Sequence, residues 1–166
     1  MTAGMTKCTQ CGANVSRRDQ ECSYCGTPNQ DYQPPEDDVN SLLENGLRAF
    51  QQEQYALAIT RYRQAIELDP DVFAAYFYLA ASLDALGREQ EAIEAMKQAR
   101  RIRPGSAVTY YNLGLLYRRM GQKGKARSYF EEALKRVSDD AALENPEQMK
   151  RNIERELGKV KRRRFW

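Results

Sequence analysis

A set of residues recurs every 34 positions through the middle of this chain, and that spacing leaves few folds open. Ala58, Ala92 and Ala126 share one register, Ala65, Ala99 and Ala133 a second, and Gly46, Ala80 and Gly114 a third. Tyr62, Met96 and Phe130 recur as the large residue, and Pro70 and Pro104 as the breaker, with Ser138 in the next equivalent place. Small residues let two antiparallel helices approach closely, and the large residue between them is expected to fill the hole in the neighbouring hairpin. Proline ends the second helix by pushing the residue before it out of the α region.

Apolar spacing and breakers predict helices over residues 38–52, 55–68, 72–86, 89–102, 106–120 and 123–137. Gly87 and Gly121 stand just past helix ends, where a left-handed residue closes the turn. Asn145-Pro146-Glu147-Gln148 reads as a fresh helix start, with Asn as cap and Pro at the first position. The helix it opens, to about Arg163, carries Met149, Ile153, Leu157 and Val160 on one face and is expected to cap the last hairpin.

The first forty residues follow a different rule. Cys8-Thr-Gln-Cys11-Gly12 and Cys22-Ser-Tyr-Cys25-Gly26 are two copies of C-x-x-C-G. Two residues between cysteines aim both sulfurs at one point, and a glycine at positive φ lets backbone N–H groups turn toward the thiolates. Two such knuckles face to face give a closed Cys₄ site, the geometry of one structural Zn²⁺, with no position left for water or substrate. Two disulfides or a redox pair are the alternatives, but a redox C-x-x-C needs a βαβ framework that so short a segment cannot supply. Only Val15 and Tyr24 offer apolar side chains of any size, so folding is expected to depend on metal. Lys7, Arg17 and Arg18 partly offset the charge of four thiolates with Zn²⁺.

Residues 28–38 are polar, acidic and proline-bearing and read as a tether. The expected organisation is a zinc ribbon over 1–27, this linker, hairpins at 39–70, 73–104 and 107–138, and a capping helix with a basic tail over 139–166.

Composition bears mainly on function. The chain has no histidine, which removes the usual general base and any Ser-His or Cys-His nucleophile, and no catalytic residue is expected. No apolar stretch is long enough to span a bilayer, so membrane insertion is not expected. Met1–Lys7 lacks the apolar core of a secretory signal, and four cysteines without one point to a reducing, cytoplasmic setting. The net charge of +3 is mild, but residues 146–166 carry eight basic and three acidic side chains.

Residues 7–27 resemble the short N-terminal zinc-ribbon modules of many prokaryotic proteins, although those knuckles often place proline after the first cysteine, where Thr9 and Ser23 stand here. Residues 39–138 resemble the tetratricopeptide repeat. Repeat three matches best, through Tyr110-Tyr-Asn-Leu-Gly-Leu-Leu-Tyr117, Ala126, Phe130 and Ala133, while repeat one is weaker in its first helix, with Leu42 and Ala49. The implied fold is an all-α solenoid of three hairpins plus a capping helix, preceded by a small β-type zinc ribbon.

The same resemblance implies a concave groove lined by the first helix of each pair. Its positions here are Leu43, Leu47 and Phe50, then Phe77, Ala81 and Asp84, then Val108, Tyr111, Leu115 and Arg118, with Tyr78 and Asn112 at the edge. Many chaperone-binding members grip a C-terminal carboxylate with Lys, Asn and Arg. Leu43, Leu47, Tyr78, Val108 and Asn112 stand in those places, so no such clamp is implied. An apolar strand or amphipathic helix suits the groove, with Phe50, Phe77 and Tyr111 as anchors and Asp84, Arg118 and Arg119 fixing orientation. The expected role is a non-catalytic adaptor binding a protein or peptide. The alternative is a nucleic-acid- or ribosome-associated factor using the ribbon and Lys161, Arg162, Arg163 and Arg164, with Phe165 and Trp166 stacking on bases. Self-association through an apolar groove or flank is a third expectation.

Overall fold

A computed structural model of the protein describes residues 5–16, 19–31 and 38–160. Arg17, Arg18, most of the proline-bearing stretch expected as the tether, and Lys161–Arg164 with Phe165 and Trp166 lie outside the described residues. The chain divides into two compact units, Met1–Asp37 and Asp38–Trp166.

In the first unit, β1 (Met5–Lys7) and β2 (Asn14–Ser16) pair antiparallel, with Lys7 opposite Asn14. The second knuckle repeats this plan in miniature through a bridge between Glu21 and Pro28, each partner fourteen residues after its counterpart. Both glycines take the positive φ that the motif requires, Gly12 at 71° and Gly26 at 70°. Val15 and Cys22 are buried, whereas Tyr24 is 78% exposed and adds nothing to the core. Residues 28–31, expected to begin the tether, pack on the ribbon instead. The Asn29 amide donates to Ser16 O at 3.0 Å and Asp19 O at 2.9 Å, and the Thr6 hydroxyl donates to the Asp31 carboxylate.

The second unit is a stack of helices: α1 (Val39–Gln51), α2 (Tyr55–Leu68), α3 (Phe73–Ala85), α4 (Glu89–Ile102), α5 (Ala107–Arg119), α6 (Lys123–Arg136) and α7 (Pro146–Val160). Consecutive helices pack as neighbours from α1 to α7. This is the all-α solenoid expected, with helix ends within a residue or so of the expected limits over the six repeat helices.

The repeated residues explain the helix ends. Before Pro70 and Pro104, Asp69 and Arg103 leave the helix at φ −142° and −128°. Where Ser138 replaces proline, Val137 stays α-helical at φ −57° and ψ −40°. The first helix of every hairpin closes with the same paired bonds. After α3, Gly87 N–H reaches Asp84 O and Arg88 N–H reaches Leu83 O; after α5 the pairs are Gly121 to Arg118 and Gln122 to Tyr117. Repeat one builds this motif without glycine, and Glu53 sits at φ 59° to do so. Asp38 and Asn145 cap α1 and α7 through Ser41 N–H at 2.7 Å and Gln148 N–H at 2.9 Å.

The large residues correct one expectation. Tyr62 and Phe130 each pack within their own hairpin. A Cβ on Gly46 would lie 2.5 Å from the Tyr62 ring, and one on Gly114 would lie 2.5 Å from the Phe130 ring. An aromatic ring therefore occupies the volume that a side chain at the facing glycine would need. Repeat two uses Ala80 with Met96, exchanging a rigid ring for a flexible chain and gaining room for a methyl. Tyr62 also stacks on Tyr78 of the next hairpin, with centroids 5.9 Å apart.

Helix α7 seals the end of the stack, with Ile153 and Val160 buried and Met149 and Leu157 packed against the core. The apolar stripe expected there is interrupted by Glu156, which is only 4% exposed.

Candidate functional site

The ribbon unit brings Cys8, Cys11, Cys22 and Cys25 together, with all four sulfurs within 4.8 Å of one another. Cys8 Sγ lies 3.6 Å from Cys25 Sγ, and Cys11 Sγ lies 3.6 Å from Cys22 Sγ, so each knuckle faces the other and no pair is bonded as a disulfide. The chain path makes this arrangement. In each knuckle the glycine N–H donates to the carbonyl of the first cysteine, Gly12 to Cys8 at 2.9 Å and Gly26 to Cys22 at 2.8 Å. The second cysteine of each pair is thereby turned back toward the first.

The thiols are electrostatically unlike. The Thr27 hydroxyl and the Thr27 amide stabilise the Cys25 thiolate and bring it down to about 6. The amides of Cys11 and Gln10 lower Cys8. The Ala13 amide favours ionisation of Cys11, but hydrogen bonding to Cys25 and loss of solvent push that thiol up to about 12. Like charges this close resist full ionisation unless a cation sits among them. The cluster could hold a metal ion.

The helical unit contains a cleft of about 510 Å³ between α3 and α5, with Phe50 of α1 at one side and Met96 of α4 contributing to its lining. Its walls include Phe77, Tyr78 and Ala81 from α3 and Asn112, Leu115 and Arg118 from α5. On α3, Phe77, Ala81 and Asp84 lie four and three apart, and on α5, Asn112, Leu115 and Arg118 lie three apart, so each set falls along one side of its helix. Phe77 meets Tyr78 edge to face at 5.5 Å. Of the groove positions expected from sequence, Phe50, Phe77, Tyr78, Ala81, Asp84, Asn112, Leu115 and Arg118 line this cleft. Leu43, Leu47, Val108 and Tyr111 do not line it. Leu43 packs against the core, and the Tyr111 ring lies against Phe130 at 5.8 Å.

The cleft's charged residues already have partners. Asp84 is ion-paired with Arg119 across α3 and α5. Arg118 Nε lies 3.2 Å from Glu156 Oε2 on α7. That pair ties the capping helix to the edge of the cleft, and within α7 Glu156 also pairs with Lys159 at 2.7 Å. Sequence reasoning missed Glu156, because a charge within an amphipathic helix is ordinarily assigned to the solvated face. Its position four residues before Val160 and three after Ile153, both apolar, was the available signal. Among the described residues no helix is long and apolar enough to cross a membrane.

Comparison with known proteins places this architecture. Residues 43–107 match one family model and residues 107–140 a second, each described as a tetratricopeptide repeat. The chain is 29% identical over 103 residues to the tetratricopeptide repeat and J domain-containing co-chaperone DNJ1 of Cryptococcus neoformans, covering 62% of this chain and 20% of that protein. It spans between 14% and 24% of the length of the curated relatives it matches. Among solved structures it is similar to the Yersinia enterocolitica type III secretion chaperone SycD in complex with a peptide of the translocator YopD. The TM-score there is 0.68, with 15% identity and 74% and 91% of the two chains covered. It is also similar to the Sgt2 TPR domain from Aspergillus fumigatus, with TM-score 0.61, 21% identity and 76% and 82% covered. These likenesses agree with the hairpin stack described above. With family models covering residues 43–140, more than half of its length, the chain belongs to the tetratricopeptide repeat family.

Proposed function

We propose that this protein is a non-catalytic adaptor that holds an apolar peptide or helix of a partner protein in the α3–α5 cleft. The observation that carries the reading is the cleft's chemistry. Its walls are aromatic and aliphatic, and its arginines and Asp84 are already paired. A free carboxylate would have to break one of those ion pairs to bind, whereas an apolar side chain only displaces water from Phe77, Tyr78 and Leu115. The peptide in the SycD complex supports a peptide as the class of ligand for this architecture.

The ribbon is a second contact surface, stabilised by one Zn²⁺ on Cys8, Cys11, Cys22 and Cys25. A tetrahedral ion with Zn–S distances of about 2.3 Å sets its sulfurs about 3.8 Å apart. The 3.6 Å separations across the knuckles fit that spacing. With four protein ligands the ion serves as a structural crosslink. Val15 and Cys22 are the only buried apolar side chains among the unit's described residues, so the crosslink replaces a core. The adaptor acts in the cytoplasm, where thiols stay reduced.

Affinity capture from the source cell tests this with three baits: the whole chain, a chain lacking residues 1–35, and the Phe77→Ala, Leu115→Glu double variant. The cleft reading expects one partner that survives loss of the ribbon and disappears with the double variant. A partner that is lost with residues 1–35 and kept by the double variant would assign binding to the ribbon instead.

A further inference from the structure

Position 95 departs from the pattern of its neighbours. Arg61, Ala95 and Tyr129 share one register on the second helices, so hairpin two carries a methyl group where hairpin three carries an aromatic ring. In hairpin three that ring has a definite place. Tyr129 stacks on Tyr117 of α5, with centroids 5.2 Å apart and an interplanar angle of 10°, and lies 6.3 Å from Tyr110. Its hydroxyl accepts a hydrogen bond from Arg100 of α4 at 3.2 Å.

In hairpin two the same place is open. A hollow of about 310 Å³ lies between α3 and α4, with Tyr76, Leu79, Leu83 and Ala95 as its apolar lining and Glu91 and Glu94 beside them. Tyr76 stands in the register of Tyr110, Leu83 in that of Tyr117 and Ala95 in that of Tyr129. The hollow is therefore the counterpart of the site that Tyr129 fills one repeat later. An apolar cavity of about 150 Å³ is enough to hold benzene, so there is room for a ring. Both carboxylates already have partners, Glu91 with Arg88 at 2.6 Å and Glu94 with Lys97 at 2.8 Å, so nothing there calls for a charged ligand. Ile66 stands in the register of Arg100, so a phenol hydroxyl in the hollow would lack the donor that Tyr129 has.

We propose that the α3–α4 hollow receives a phenylalanine side chain of a partner protein, lying against Tyr76 and Leu83 as Tyr129 lies against Tyr110 and Tyr117. The partner supplies from outside the ring that hairpin three supplies from its own chain. The hollow shares no lining residue with the α3–α5 cleft and is a second contact surface, independent of the first. One ring in one hollow is a weak contact, with a dissociation constant on the order of millimolar.

The test titrates the full chain, isotope-labelled at its alanine and leucine methyl groups, with N-acetylphenylalaninamide and follows the methyl resonances. Those of Leu79, Leu83 and Ala95 should move and saturate in the millimolar range, and N-acetyltyrosinamide should bind about threefold or more weakly. Ala95→Tyr fills the hollow from within, so it should abolish the shifts at Leu79 and Leu83 and raise the melting temperature by about 2–5 °C. Phe77→Ala, a change in the cleft, should leave those shifts as they are in the parent. Leu79 and Leu83 methyls that do not move, shifts that persist in Ala95→Tyr, or tighter binding of the tyrosine amide overturns the assignment and leaves the cleft reading standing. A melting temperature lowered by Ala95→Tyr also overturns it, because the ring then has no room. A dimer seen by sedimentation in the parent and dissolved by Ala95→Tyr would make a second copy of this chain the occupant and overturn the partner.

Discussion

Replacing Gly114 by alanine should destabilise the helical unit, while the same replacement at Gly158 should stabilise it. Both glycines lie inside helices, where alanine is intrinsically better by about 1 kcal/mol. At Gly158 an added Cβ meets nothing within 4 Å, so that gain is realised. At Gly114 the new Cβ would sit 2.5 Å from both Cδ1 and Cε1 of Phe130, and Phe130 is fully buried between α5 and α6. The ring has nowhere to turn, so the helices must separate. Overpacking of this kind costs about 1–3 kcal/mol, and together with the partial loss of the helix gain we expect a net destabilisation of about 1–2 kcal/mol. Urea denaturation followed by helical ellipticity measures both variants against the parent. A second step sharpens the test. Repeat two pairs Ala80 with Met96, so Gly114→Ala with Phe130→Met recreates a combination this fold already uses. The double variant should be more stable than the two single effects added together, by about 1 kcal/mol or more. Equal effects at Gly114 and Gly158, or strict additivity in the double variant, would refute the claim that ring and glycine share one volume.

Four further outcomes follow from the same geometry. Glu53→Gly should stabilise the helical unit by about 0.5–1 kcal/mol, because Glu53 holds a φ of 59° that its counterparts Gly87 and Gly121 adopt without strain; chemical denaturation reads it. Glu156→Ala should destabilise the unit by about 1–2 kcal/mol. It leaves Arg118, whose side chain is 34% exposed, without its partner, and the cost is held down by that exposure; a melt at low and high salt should show the difference shrinking with salt. Elemental analysis should find near one zinc per chain, and chelation should abolish the ribbon's amide-exchange protection while leaving helicity almost unchanged; less than a tenth of an equivalent would reject the metal assignment. Phe77→Ala should weaken partner binding by about 1–3 kcal/mol with a small change in stability, whereas Leu83→Ala, fully inside the core, should cost about 2–5 kcal/mol of stability.

Much of this fold could be read in advance because the repeat carries its meaning in pairs. A small residue in the first helix and a large one in the second identify a hairpin, and proline or glycine marks where it turns. The pairs recur in register, so Gly46, Ala80 and Gly114 could be assigned to helix contacts without coordinates. What stayed hidden depends on how hairpins lean on each other. Leu43, Phe77 and Tyr111 look alike as apolar residues of first helices, and all three are half-buried against the core, yet of the three Phe77 lines the cleft and Leu43 and Tyr111 do not. The angle between neighbouring hairpins decides this, and no local pattern encodes it. Glu156 was hidden for a related reason, since its partner Arg118 lies 38 positions earlier on another helix. Glu53 was hidden because its left-handed backbone is imposed by the turn it closes, against the preference of the residue itself.

The central claim is that the cleft between α3 and α5 selects apolar peptide. Its most direct test is selection of a displayed random peptide library on the full chain, followed by calorimetric titration of the recovered peptides. They should carry aromatic or aliphatic anchors without a required terminal carboxylate. They should lose about tenfold or more in affinity on Phe77→Ala or Leu115→Glu, and bind Arg127→Ala, a change at an exposed α6 residue paired with Glu131, as they bind the parent. Recovered peptides that depend on a free carboxylate, or whose affinity is the same for parent and cleft variants, would contradict the account.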